Sequence, residues 1–263
     1  LIPLLGHFKK YGKKVSILDE SSKVHLPRAY HNSIRIVRFG QSRKVGVDAG
    51  KYLLQKGHKH IAYMSLFHEF SWSQVRYRGL CRAFADMPPD CKPKLFSLDT
   101  TGLPIMVLAR LWDTVRPADR LMEQLKQDNV SLSRSPWNQL SAVRQGLDRF
   151  SDSMYRYRFY ALLDQALAHR EITAWVCEND DIAYECLSFL RKRRIEVPRR
   201  ISVMGFDDLE DSLLWDLTSY NFNASAIFST MLSYILDPPF LAGRVSYGNV
   251  VEMDGYINQR HSA

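Results

Sequence analysis

Residues 174–208 read AWVCENDDIAYECLSFLRKRRIEVPRRISVMGFDD. Ala174-Trp175-Val176-Cys177 is a short, unbroken apolar run of strand length. Ile182 to Arg193 carries apolar residues at helical spacing. Ile201-Ser202-Val203-Met204-Gly205-Phe206 is a second strand. Arg191-Lys192-Arg193-Arg194 gathers cations at the end of the intervening helix, where they complement its macrodipole. A strand, a helix and a strand of these lengths predict a parallel sheet covered on both faces.

The same rhythm extends upstream. Residues 1–11 read as the end of an amphipathic helix stopped by Gly12, followed by the strand Val15-Ser16-Ile17-Leu18. Ile34-Arg35-Ile36-Val37 is a further strand. Val45 to Lys56 is helical, with Val45, Ala49, Tyr52 and Leu53 on one face and Gly57 as its stop. His60 to Met64 is a strand, Val75 to Phe84 a helix, and Lys94 to Leu98 a strand. A helix over Tyr157 to Ala168 leads into the decisive unit. Residues 99–150 break the pattern. Leu103 to Trp112, Pro117 to Gln127 and Trp137 to Phe150 look helical with no strand between them, which predicts a helical insertion.

Composition bounds the function. The 263 residues are 46% hydrophobic and 24% charged, enough to build a core. No run of 18 apolar residues is present, and Leu1 to His7 lack the basic-then-apolar pattern of a secretion signal, so no membrane partner and a cytoplasmic location are expected. Cys81, Cys91, Cys177 and Cys186 form no Cys-x-x-Cys pair. They read as small hydrophobes, and no metal is expected. The net charge of +8 reads as a solvated basic face, able to give weak attraction to an anionic polymer. No phosphate-binding loop, nucleophile elbow or His-Glu-x-x-His is present, so neither enzymatic activity, catalytic residues nor a cofactor is expected. The competing enzyme reading is a magnesium site built from Asp207-Asp208 with Asp180-Asp181.

Several segments together resemble one family. Gly46-Val47-Asp48-Ala49-Gly50 through Lys56-Gly57-His58 to Ile61-Ala62-Tyr63 is similar to the helix, "GH" turn and strand of the LacI/GalR family of transcriptional regulators. Arg76-Tyr77-Arg78-Gly79 resembles its "R-x-x-G" helix start. Cys177-Glu178-Asn179-Asp180-Asp181-Ile182-Ala183 resembles its "A-N-D-x-x-A". Pro198-Arg199-Arg200-Ile201-Ser202-Val203-Met204-Gly205-Phe206-Asp207-Asp208 resembles its most recognisable strand, and Gly255 to Ser262 its last.

The resemblance implies two Rossmann-like lobes of the periplasmic-binding-protein type I kind with parallel sheets. Residues 1–40 and 219–245 would form a first, incomplete lobe, lacking the β-α units with which the family opens. Residues 41–218 and 246–263 would form the second, carrying the insertion. It also implies the ligand-sensing domain of a homodimeric bacterial regulator, binding a small polar effector such as a sugar between the lobes. Operator DNA would be gripped by a separate head domain. The alternative binding reading is a secreted sugar receptor.

The site residues follow from strand ends and the resemblance together. Ligands of such sheets bind beyond the carboxyl ends of the strands. Arg76 is implied as a bidentate donor. Asn179 is either a helix N-cap or an amide that meets a hydroxyl pair. Asp207 is either a turn former or an acceptor, and Asp19 is the matching acceptor from the first lobe. Trp72 and Trp215 are either core or stacking faces for a sugar. Arg76, Asn179 and Asp207 are expected to converge on one cleft. Leu1, Ile2, Leu4, Leu5 and Phe8, with Leu26, Ile34, Ile36 and Val37, are expected to be partly exposed, or covered by a partner or by further segments.

Overall fold

The computed structural model describes residues 2–19, 24–39, 43–98, 157–236 and 249–263. The chain divides into two compact units, Leu1–Phe96 with Arg170–Ala263, and Ser97–His169. In the smaller unit, a helix over residues 157–168 buries Phe159, Leu162, Leu163 and Ala166, one apolar stripe at spacings of three and four. The helical insertion expected at 99–150 lies outside the described residues.

Among the described residues, the larger unit contains two sheets. The six-stranded sheet has the order β4-β3-β5-β6-β7-β9, where β3 is Ile61–Ser65, β4 Lys94–Ser97, β5 Ala174–Cys177, β6 Ser202–Phe206, β7 Thr218–Asn221 and β9 Tyr256–Asn258. Strands β3, β5, β6 and β7 are mutually parallel, with Ile61 opposite Ala174, Ala174 opposite Ser202 and Met204 opposite Thr218. Every residue of β3, β5 and β6 is buried, as continuous apolar runs require when helices cover both faces. β9 closes the edge antiparallel to β7. The second sheet has three parallel strands in the order β1-β2-β8, with β1 Val15–Leu18, β2 Ile34–Phe39 and β8 Val250–Met253. This is the α/β architecture with parallel-dominated sheets that the sequence predicts.

Among the described residues, the α-helices of the larger unit are α1 Ile2–Lys10, α2 Arg43–Gln55, α3 Ser71–Ala83, α4 Asp180–Lys192, α5 Asp211–Leu214 and α6 Ala224–Leu236. The expected lobe limits need correction where strands cross between sheets. The second lobe is expected to include 246–263, yet β8 within that segment hydrogen-bonds to β2. The first lobe is expected to resume at 219, yet β7 runs to Asn221 beside β6. The chain changes sheet only after Asn221, when α6 packs on β1 and β2.

The expectation of exposed first-lobe residues also changes. Ile34, Ile36 and Val37 are fully buried, because β2 is the central strand and α6 covers it. Leu5 is buried too, and Leu26 is half-buried. Ile2, Leu4 and Phe8 are exposed, as are Phe228, Leu232, Ile235 and Leu236 of α6. Leu1 lies outside the described residues.

Helices α2 and α3 pack closely against each other. Val45, Ala49 and Leu53 of α2 share one core with Leu80 and Phe84 at the α3 end, and with Tyr63, Val176, Met204 and Phe206 of the sheet. The crossing is set by glycine. A Cβ on Gly46 would lie 2.0 Å from the backbone oxygen of Arg76 and 2.8 Å from the nitrogen of Leu80. These neighbours are backbone atoms, so they cannot step aside by changing rotamer. Gly46→Ala should therefore cost roughly 1–3 kcal/mol and lower the melting temperature by about 2–4 °C per kcal/mol. A thermal melt indistinguishable from that of the unsubstituted chain would refute this contact.

Candidate ligand-binding site

Strands β3, β5 and β6 are adjacent and parallel, so the residues that follow them emerge on one edge. Helix α3 begins at Ser71, four residues before the expected Val75. Ser73 anchors this first turn, its Oγ lying 2.9 Å from Ser65 Oγ and 3.1 Å from the Tyr63 hydroxyl. Arg76 follows on the same helix and points back over the strand ends.

Arg76 is 8% exposed. Its Nη1 donates to the backbone oxygen of Glu178, at the end of β5. Its Nη2 lies 3.5 Å from Asp207 Oδ1, at the end of β6. The guanidinium carbon sits 5.0, 4.9 and 5.0 Å from the ring centroids of Trp72, Phe206 and Phe222. Aromatic faces attract a cation, and the attraction grows when water is excluded.

Asp207 has φ 104° and Asp208 φ 51°, two successive non-glycine residues in sparsely populated backbone space. The strained turn is held by Asp207 N–H donating to the Tyr220 oxygen at 3.0 Å and Asp208 N–H donating to Ser219 Oγ at 3.1 Å. Burial pushes the Asp207 carboxyl up to about 6, opposed by Arg76 and reinforced by the like charges of Asp180 and Asp181.

The neighbouring carboxylates are already engaged. Asp180 accepts from Ser219 Oγ at 2.6 Å, Ser212 Oγ at 2.7 Å and Leu209 N–H at 2.9 Å. Burial raises its pKa, and these three donors partly offset the rise. Gly205 makes room for it, since a Cβ there would lie 2.1 Å from Asp180 Oδ1. Asp208 accepts from Arg260 Nη1 at 2.8 Å, from Asn221 Nδ2 at 2.7 Å and from Asn258 Nδ2. Burial alone would raise its pKa, but these donors hold it below the ordinary value. Glu178 is buried and accepts from Ser65 Oγ at 2.5 Å and from the N–H groups of Leu66 at 2.7 Å and Phe67 at 3.0 Å. Asp180 and Asp208 therefore serve as acceptors for turns and strands, and the magnesium arrangement suggested by the paired aspartates is not assembled.

The other expected residues divide. Asn179 N-caps α4, its Oδ1 accepting from Ile182 N–H at 2.9 Å, and it adjoins the Glu178 oxygen that Arg76 contacts. Trp72 lies against Arg76 and stacks on Phe70 with centroids 6.3 Å apart. Asp19 is buried at the end of β1, where Arg38 Nε at 3.1 Å and Val24 N–H at 3.0 Å donate to its Oδ2. Trp215 is on the opposite edge. It precedes β7, stacks on Tyr184 at 5.7 Å, and lines a cavity of about 420 Å³ with Arg191, Arg194 and His261. The sequence points to Glu178 as a residue just after a strand but gives it no role, and it does not single out Phe206 and Phe222. Their positions just before or after strand ends were the available signal, but aromatic residues there read as core. His58 is a structural hydrogen-bonding residue, its Nδ1 lying 2.9 Å from Thr173 Oγ1.

Residues 138–238 match the family model of a periplasmic binding protein-like domain. Among solved structures, a LacI family transcriptional regulator from Enterococcus faecium with bound ribose superposes with a TM-score of 0.56. It is 15% identical, over 97% of this chain and 72% of that one. The Escherichia coli transcriptional repressor ascG gives 0.54 at 15% identity, over 89% and 71%. A periplasmic binding protein/LacI transcriptional regulator from Alkaliphilus metalliredigens QYMF complexed with D-xylulofuranose gives 0.52 at 14% identity, over 99% and 81%. No curated protein sequence matches the chain. The fold is thus periplasmic-binding-protein-like, the fold shared by these LacI-family regulators.

The Asp207 environment has a measurable consequence. An unfolded aspartate titrates near 3.8, whereas the folded carboxyl keeps its proton up to about pH 6. Between those values the folded state binds more protons, so this residue's contribution to stability declines as pH rises. Asp207→Asn removes that decline. The melting temperature of the variant relative to the unsubstituted chain should therefore climb between pH 4 and pH 6.5 and then level off. A difference independent of pH would show that the carboxyl titrates normally.

Proposed function

We propose that this chain is the ligand-sensing domain of a bacterial transcriptional regulator. It binds a small polar effector, a sugar being the favoured class, and does no chemistry on it. The observation that carries this reading is the Arg76–Asp207 pair, held beneath an aromatic cage where three parallel strands end. Arg76 offers donors and Asp207 acceptors. Asn179 adds its amide nitrogen, and Trp72 a flat apolar face for the ring of a sugar. Asp19, at the carboxyl end of β1, is buried and already accepts from Arg38 and Val24, so in this reading it orders its own strand end and does not contact the effector. Trp215 lies at the opposite edge and does not contact the effector in this reading. The ribose and D-xylulofuranose in two structural neighbours support a sugar.

In this reading, effector binding is relayed to a separate DNA-binding head domain in a cytoplasmic homodimer. The exposed apolar side chains of α1 and α6 support a covered surface there. No helix among the described residues is long and apolar enough to cross a membrane.

The test is calorimetric titration with a panel of pentoses and hexoses, alongside product analysis. At least one sugar should bind and be recovered unchanged. Charge-assisted hydrogen bonds contribute about 1.5–3 kcal/mol each, so Arg76→Lys and Asp207→Asn should each weaken binding by about 10- to 100-fold. A hit with unaltered affinity in both variants, or turnover of the sugar, would overturn the reading.

Binding of DNA by the isolated chain should be weak, sequence-independent and steeply weakened by salt, because the +8 charge is its main attraction to phosphate. Electrophoretic mobility shifts at two salt concentrations measure this. Sequence-specific nanomolar binding at physiological salt would place the DNA-reading surface within these residues.

A further inference from the structure

His60 immediately precedes β3. Asp90 and Cys91 belong to the short 3-10 turn Pro89–Cys91 that leads to β4, the strand beside β3. One nitrogen of His60, one carboxylate oxygen of Asp90 and the sulfur of Cys91 all lie within 4.8 Å of one another. This cluster is at the amino ends of the strands, away from the Arg76 edge.

The imidazole is oriented. His60 Nδ1 lies 3.2 Å from the backbone oxygen of Asp90. A carbonyl oxygen can only accept, so Nδ1 is the donor, which leaves Nε2 as the nitrogen that the neutral ring can offer to a metal. Nε2 lies 3.9 Å from Cys91 Sγ. A histidine whose second nitrogen donates to a backbone carbonyl is the usual arrangement of a metal ligand. Zinc bonds nitrogen at about 2.0–2.1 Å and sulfur at about 2.3 Å. A tetrahedral centre therefore spans nitrogen and sulfur by about 3.6 Å, so only a small adjustment is required.

We propose that His60, Asp90 and Cys91 form a zinc-binding site. The donor set of imidazole, thiolate and carboxylate favours zinc over the hard cations calcium and magnesium. Three protein ligands leave a fourth position for water. Cys91 gives up its thiol proton on binding, and the ion ties the turn after α3 to the start of β3. Sequence gave no sign of the site, because 30 positions separate His60 from Asp90 and the usual cysteine spacing is absent.

The test uses the whole chain, stripped with a chelator and titrated first with Co²⁺ and then with Zn²⁺. One equivalent of Co²⁺ should produce a thiolate-to-cobalt charge-transfer band that Zn²⁺ abolishes. Cys91→Ser should eliminate the band, and His60→Gln should weaken Zn²⁺ binding by at least about tenfold. Asp90 is exposed, so Asp90→Asn preserves the fold and should weaken binding likewise. Circular dichroism of each variant identifies any that fail to fold. Absence of the band, its persistence in Cys91→Ser, or unchanged Zn²⁺ affinity in a folded Asp90→Asn would overturn the assignment.

Discussion

A guanidinium group almost cut off from water is the constraint around which the carboxyl edge is arranged. Burying an unpaired charge is costly, so Arg76 must be paired and hydrogen-bonded where it stands. Its partners come from three places: the Glu178 oxygen after β5, the Asp207 carboxylate after β6, and the rings of Trp72, Phe206 and Phe222. One side chain thereby ties α3 to the ends of two strands and to the residue after β7. Gly46 lets α2 touch the backbone of Arg76 itself, which sets the position of α3 over the sheet.

That pairing leaves a residue of unfavourable energy. The attraction of Arg76 lowers the Asp207 pKa, yet burial and the like charges of Asp180 and Asp181 outweigh it and hold the carboxyl at about 6. The backbone at Asp207 and Asp208 is also strained. Asp180 and Asp208 show the contrast. Each collects three hydrogen-bond donors and serves as a fixed strut for a turn or strand. Asp207 has Arg76 as its side-chain partner among the described residues, and its side chain is 35% exposed, so acceptor capacity remains. Carboxylates in one cluster thus differ in how many donors each already engages.

The sequence made the central strands legible because β3, β5 and β6 are buried on both faces and read as continuous apolar runs. Helix limits were less legible. Helix α3 starts at Ser71 after Phe70, which supplies no side-chain cap, so the usual signal is missing. β7 was invisible because it is a polar strand in a buried place. Thr218 and Ser219 are fully buried, and their hydroxyls are spent on Arg260, Ala263 and Asp180. Without β7, the edge on which Trp215 lies could not be read. The shared edge of Arg76, Asn179 and Asp207 could be read, because it depends only on recognised strands and their order. Asp19's partner Arg38 is 19 positions away and gave no local pattern.

Fold likeness at about 15% identity constrains the backbone, whereas the effector class proposed above is argued from the side chains at this edge. The charges there bear on that choice. Arg76 and Asp207 form a pair of zero net charge when both are ionised. A phosphate or carboxylate ligand would gain from Arg76 but meet the Asp207 carboxylate, with Asp180 and Asp181 near enough to shift its titration. A cationic ligand would meet the opposite problem at Arg76. A neutral polyhydroxylated molecule avoids both penalties, since each hydroxyl can accept from the guanidinium and donate to the carboxylate. In the proposed complex, donation to Asp207 would also stabilise its ionised form, the form that burial disfavours, so binding such a ligand would relieve the energy left over from folding.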